Sequence, residues 1–107
     1  VAKAALECSV RYLAAEFGEI GVRVNALSAG PIKTLAFKGI SGSDILLKIN
    51  KVRSPMKRNI TLEEVGSAGL YFVSPLSSAV TGETHHVDCG VHCVAISKED
   101  AEYYQQK

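Results

Sequence analysis

The sequence predicts an α/β fold, the later part of a doubly wound parallel sheet with flanking helices. Three observations point to it. A long amphipathic helix is followed after a short turn by an alternating strand. Two further helical segments come before the next strand pattern. The first strand pattern breaks at Ser28-Ala29-Gly30-Pro31, the kind of strand end at which open α/β sheets place their ligands.

The elements follow in order. Ala2, Leu6, Val10, Leu13 and Phe17 recur at spacings of four, four, three and four, which is one helical face, and Gly18 is a plausible stop. Gly21 then leads into alternating Val22, Val24 and Ala26, which predicts a strand over 22–27. Residues 32–40 read as a loop or short helix. Ser43 or Asp44 is positioned to cap a helix carrying Ile45, Leu46, Ile49 and Val52, and Ser54-Pro55 ends it. Thr61 and Glu64 form a capping box that opens a helix through Val65, Ala68 and Phe72, closed by Ser74-Pro75. A short strand is expected over 84–88 and a short extended piece over 93–96. Residues 97–107 are polar and predict a frayed helix or loose tail. No repeat or low-complexity segment is present.

The totals bound the function. The 107 residues suffice for one domain or part of one, and 47 % hydrophobic content supports a packed core. A net charge of +1 selects no class of partner. Three cysteines, Cys8, Cys89 and Cys93, form no disulfide framework and fit a reducing, cytoplasmic setting. No apolar run approaches the roughly 18 residues of a membrane span, and no signal peptide is visible. The chain starts without Met and inside a helical pattern, so a longer polypeptide is expected.

The loop after the first strand carries the first site hypothesis. Gly30 leaves no Cβ in the way of an approaching ligand, and Pro31 stiffens the backbone. Backbone groups around Ile32 are suited to a planar amide, and the Thr34 hydroxyl both donates and accepts. The set suits a carboxamide or phosphate better than a metal. An ordinary β-to-α turn accounts for the same residues.

Two other clusters invite chemistry. Lys33, Lys38, Lys48, Lys51, Arg53, Lys57 and Arg58 face only Asp44 between positions 33 and 58. They read as a landing surface for an acidic partner or for phosphates, or as a solvated helix face. No aromatic residues interleave with them, which argues against nucleic acid. His85, His86, Cys89, His92 and Cys93 crowd together, but along a strand alternate side chains diverge, and the spacings match no standard zinc pattern. No metal is expected there.

The stretch from Val1 to Ala36 resembles the C-terminal portion of short-chain dehydrogenase/reductases and, more narrowly, is similar to bacterial NADH-dependent enoyl-acyl-carrier-protein reductases. Ala2-Lys3-Ala4, then Arg23-Val24-Asn25-Ala26 with Ser28-Ala29-Gly30-Pro31-Ile32-Lys33-Thr34-Leu35-Ala36, carry the likeness. Val65-Gly66, Thr81-Gly82-Glu83 and His86-Val87-Asp88 extend it to about residue 96. The Ala-Gly-Pro-Ile order favours this branch over 3-oxoacyl-carrier-protein reductases, the alternative enzyme. A non-catalytic domain that retains the fold is the third reading.

The resemblance implies a Rossmann-like sheet over residues 1–96 with a polar tail over 97–107. It implies that Lys3 is the catalytic lysine, holding the nicotinamide ribose, with a partner tyrosine preceding Val1. It implies NADH/NAD binding by Lys3, Gly30, Pro31, Ile32, Lys33, Thr34, Leu35 and Ala36. Ala36, Phe37, Ile40 and Leu46 are implied as substrate contacts. Residues 37–52 take the place of a mobile substrate-binding segment, with Ser43 where relatives commonly carry an aromatic residue. The family has a glycine at Cys89, so Cys89 reads as a small buried substitute. The implied partners are an acyl carrier protein and three further copies in a homotetramer, and this chain alone is expected to be inactive.

Overall fold

The computed structural model describes residues 1–95 and 98–106. Contacts divide the chain into two compact units, Val1–Ser28 with Gly66–His85 and Ala29–Val65 with His86–Lys107. Two strands, β1 (Ala26–Ala29) and β2 (Thr84–Val87), pair into one sheet. Ala26 N–H donates to Glu83 O at 2.9 Å, and Gly30 N–H donates to Val87 O at 3.0 Å. The register advances in the same direction on both strands, so the pairing is parallel, as the α/β reading requires.

In the first unit, α1 (Ala2–Phe17) has the predicted length, and Val10 and Ala14 are its buried residues. Leu6, Leu13 and Phe17, on the predicted face, remain exposed. Gly18 does not terminate the chain direction. It is right-handed helical and starts a single 3₁₀ turn, Gly18–Ile20. Gly21, at φ 78°, makes the left-handed turn that only glycine adopts without strain.

The predicted strand over 22–27 is displaced to Ala26–Ala29. Residues 22–25 face the loop that leads into β2, and side chains do much of the bonding there. The Arg23 guanidinium donates to Val80 O at 3.0 Å and Phe72 O at 2.7 Å. Asn25 donates to Val80 O and accepts from Glu83 N–H, at 2.9 and 3.1 Å. Val24 N–H reaches Thr81 Oγ1 at 3.0 Å, and its carbonyl accepts Gly82 N–H at 2.7 Å. Of the predicted strand only Ala26 and Leu27 fall in β1, and residues 22–25 are held by these side-chain and loop bonds instead.

α4 (Leu62–Val73) spans the division between units. Its capping box forms as predicted: Glu64 N–H donates to Thr61 Oγ1 at 3.2 Å, and Thr61 N–H to Glu64 Oε2 at 2.9 Å. Ser74 follows it and Pro75 opens a 3₁₀ turn, Pro75–Ser77.

In the second unit, α2 (Leu35–Lys38) is capped by Thr34, whose Oγ1 accepts Phe37 N–H at 3.1 Å. α3 (Ser43–Arg53) is preceded by Gly42 at φ 80° and has no side-chain cap. Ser43 is instead buried in its first turn, so neither Ser43 nor Asp44 takes the predicted capping role. Ile49 and Asn50 are buried on α3, and Ile60 and Cys89 are the other buried apolar positions described in this unit. Asn59 accepts from Asn50 Nδ2 at 3.1 Å and donates to Leu47 O at 3.2 Å, so the buried amides are paired.

β2 ends at Val87, one residue earlier than predicted, because Asp88 turns the chain into a 3₁₀ segment, Val91–Cys93. Val94 is extended, and Ile96, the end of the predicted extended piece, lies outside the described residues. The polar tail forms α5 (Lys98–Gln105), which packs on α3 with an Arg53–Asp100 ion pair. Ser97 and Lys107, the ends of the predicted tail, also lie outside the described residues.

Candidate functional site

The strand end of β1 builds a cavity of about 410 Å³ lined by Ala29, Gly30, Pro31, Ile32, Thr34, Phe37 and Leu46. Each residue arrives for a local reason. Gly30 is pinned by its N–H to Val87 O, and a Cβ on it would lie 3.1 Å from both Cα and Cβ of Asp88. The space a side chain would need is therefore crowded by Asp88, the residue after β2, and this close approach by itself favours glycine. This is a second reason for glycine here, beside the one inferred from sequence. Pro31 then fixes the backbone φ. Ile32 O accepts Thr34 N–H at 2.9 Å, closing a tight turn. The cap at Thr34 starts α2 and directs Phe37 at the cavity, and Leu46 reaches it from α3.

The polar groups left over define what the cavity can hold. Among the described residues, no hydrogen-bond partner takes the Ile32 N–H. The Ile32 carbonyl uses one of its two lone pairs on Thr34 N–H. Thr34 Oγ1 accepts a backbone N–H, which leaves its O–H proton to donate. One donor and one acceptor on adjacent backbone atoms match a planar carboxamide, and the added hydroxyl matches an oxygen beside it. The rest of the lining is apolar, suited to a ring face and an acyl chain.

Of the residues named from sequence, Gly30, Pro31, Ile32, Thr34, Phe37 and Leu46 come together here. Lys33, Leu35 and Ala36 belong to the same segment but are exposed and do not line the cavity. Ile40, 58 % exposed, lies in the turn between α2 and α3 and also falls outside the lining. Lys3 stands exposed on the first turn of α1, in the other unit. Ala29 was missed. The sequence places it in the loop after a strand ending at Leu27, whereas it is the last residue of β1 and lines the cavity.

Asp88 was also missed as a site residue, although its His-Val-Asp setting was noticed. It is buried beside Gly30. Its Oδ1 accepts Gly90 N–H at 2.9 Å and its Oδ2 accepts His92 N–H at 3.1 Å. His92 Nδ1 lies 3.0 and 2.9 Å from the two oxygens. Burial pushes the Asp88 carboxyl up, but the His92 ring and the Gly90 and His92 N–H groups outweigh it and hold it below the ordinary carboxylate range.

The histidine–cysteine cluster resolves into ring contacts. His86 and His92 stack at 3.9 Å, and His85 meets Phe72 edge-on at 5.3 Å. Among the described residues, no three His, Cys, Asp or Glu side chains converge as a metal site. Cys89 is buried and takes φ 55°, a left-handed backbone that glycine adopts more readily than cysteine. The basic set is partly engaged: Arg53 pairs with Asp100, and Arg58 makes a two-pronged pair with Glu64 at 2.7 and 3.0 Å. No described helix is long and apolar enough to cross a membrane.

A family model described as enoyl-(acyl carrier protein) reductase matches residues 1–92. The chain belongs to the enoyl-(acyl carrier protein) reductase family. A relative from Rhizobium meliloti named enoyl-[acyl-carrier-protein] reductase [NADH] 1 is 58 % identical over 94 % of this chain and 37 % of its own length. A Staphylococcus aureus relative named as the NADPH form is 52 % identical over 88 % of this chain and 37 % of its own length. Among solved structures, the Anaplasma phagocytophilum reductase in complex with NAD superposes at a TM-score of 0.81 and 54 % identity, over 90 % of this chain and 37 % of that one. The Bacillus cereus enzyme with NADP⁺ and an indole naphthyridinone gives 0.84 at 47 % identity, over 89 % and 37 %. The α/β architecture is thus that of this reductase family, and the chain spans little more than a third of the length of these relatives.

Proposed function

We propose that this chain is the nicotinamide- and acyl-binding part of an NADH-dependent enoyl-acyl-carrier-protein reductase of fatty-acid elongation, active within a longer polypeptide. The observation that carries the reading is the Ile32–Thr34 turn, which leaves a backbone donor, a carbonyl lone pair and a hydroxyl proton at an apolar cavity. Ile32 N–H and O hold the two halves of the nicotinamide amide. The Thr34 O–H donates to an oxygen beside it, and Gly30 and Pro31 fix the height of the turn. Lys33, Leu35 and Ala36 extend the binding segment. Lys3 holds the ribose hydroxyls by charge-assisted hydrogen bonds and supports proton delivery. The cofactor, when bound, supplies a hydride to the β-carbon of a trans-2-enoyl thioester.

Phe37 and Leu46 form the apolar wall against the acyl chain, with Ala36 and Ile40 at its mouth. The segment over 37–52 serves as the lid: α2 and the glycine-bounded turn after it move, while buried Ile49 and Asn50 hold the far end of α3. Lys33, Lys38, Lys48 and Lys51 attract the acidic carrier protein; Arg53 and Arg58, already paired, serve the fold. Exposed apolar residues on α1 and α4, such as Leu6, Leu13 and Leu70, support burial in a larger assembly, which we take to be a homotetramer.

The test is turnover by the full polypeptide with a crotonyl thioester. NADH oxidation with this substrate supports the reading, and Lys3→Ala is expected to weaken NADH binding on the order of 10-fold or more, the scale of a lost charge-assisted contact. Turnover with NADPH alone corrects the cofactor. Turnover only with a 3-oxoacyl thioester moves the chain to the sister activity, and none with either substrate makes it a non-catalytic domain.

A further inference from the structure

The buried carboxylate at the end of β2 has no part in the chemistry just described, yet the cofactor loop rests on it. We infer that Asp88 is a positioning residue: it sets the place of Gly30, and through rigid Pro31 the place of the Ile32 backbone that meets the nicotinamide amide. The inference rests on the proposed function.

Three observations converge. Gly30 is held at van der Waals distance from the Asp88 backbone and Cβ, since a methyl group on Gly30 would sit 3.1 Å from each. Its N–H is tied to the neighbouring carbonyl of Val87 at 3.0 Å. Asp88 itself cannot swing away, because Gly90 N–H, His92 N–H and the His92 ring all hold its carboxylate, while its own carbonyl accepts Val91 N–H at 3.2 Å. The turn is tied from the other side as well. Met56 N–H donates to Cys89 O at 3.3 Å, and Gly90 lies against the Pro55 ring.

The consequence is geometric. Between Gly30 and Ile32 there is one residue, and it is a proline with fixed φ. A shift at Gly30 is therefore passed on to Ile32 rather than absorbed. A misplacement on the order of 1 Å costs a positioned reaction about 100-fold in rate, and the same displacement lengthens and weakens the hydrogen bonds made by Ile32. A carboxylate that only ended β2 would affect stability alike for every ligand. A carboxylate that places Ile32 affects binding of the nicotinamide and spares the remainder of the nucleotide.

The experiment uses the full polypeptide with Asp88→Ala, Asp88→Asn and Gly30→Ala. Dissociation constants are measured for NADH and for ADP-ribose, which lacks the nicotinamide, together with the thermal midpoint. Asp88→Ala is expected to weaken NADH binding about 10-fold and leave ADP-ribose binding within about two-fold. Asp88→Asn keeps the shape of the side chain and one acceptor oxygen, which Ala lacks, and falls between Ala and wild type. Gly30→Ala, which pushes on the same contact from the other side, gives the same selective loss. Should Asp88→Ala fail to fold, the other two variants carry the test. Equal loss for both ligands, or no loss for either, overturns the inference. If the wild type itself binds no NADH, the proposed function fails first, and the two failures are told apart.

Discussion

Gly30 shows how a residue can be legible while its reason is not. Its place at a strand end marked it in the sequence, but the neighbour that requires glycine there, Asp88, is 58 positions away. Cys89 behaves the same way. Read as a small buried residue from sequence, it also carries a left-handed backbone at φ 55°, which spacing does not report. Glu64 is the opposite case, read directly from its spacing to Thr61. Hydrogen bonds from Arg58 and Thr61 pull its pKa down to about 2. The folded pKa lies below the unfolded value of about 4.3, so this stability is present above that value and is lost as pH falls toward 2. Urea midpoints of the full polypeptide measured from pH 6 to pH 2 are expected to fall less steeply in Glu64→Gln. An unchanged acid slope would show that Glu64 is not a contributor.

At the scale of elements, helices were read well where periodicity and caps agree. α1 and α4 have their predicted extents because Ala2 to Phe17 keeps one face and Thr61–Glu64 fixes a start. β1 slipped because alternation reports an extended chain and not what pairs with it. Over 22–25 the partners are side chains and a loop, information that sequence spacing does not hold. α5 was underestimated because the Arg53–Asp100 ion pair in its contact with α3 leaves no periodic signal in the sequence. Arg23 gives this level its prediction. Its guanidinium satisfies two backbone carbonyls, Phe72 O at the end of α4 and Val80 O before β2. Arg23→Met keeps the stem but unpairs both, and is expected to cost about 2 kcal/mol in urea unfolding of the full polypeptide. A change below about 0.5 kcal/mol would mean that water replaces the guanidinium at no cost.

For the molecule as a whole, the family match runs through residues of both compact units. The family was legible in the sequence because its loop order and helix opening stand together. The cavity was half legible: Gly30, Pro31, Ile32, Thr34, Phe37 and Leu46 line it, while Ala29 and the support from Asp88 depend on strand register and on contacts distant in sequence. The account's central claim is that the Ile32 backbone meets the nicotinamide. Selective ¹⁵N labelling of isoleucine in the full polypeptide reads that contact directly, through the Ile32 amide resonance. Saturation with NAD⁺ is expected to move this resonance strongly, and saturation with ADP-ribose is expected to leave it near its free position. Equal displacement by the two ligands, or none by NAD⁺, would contradict the claim.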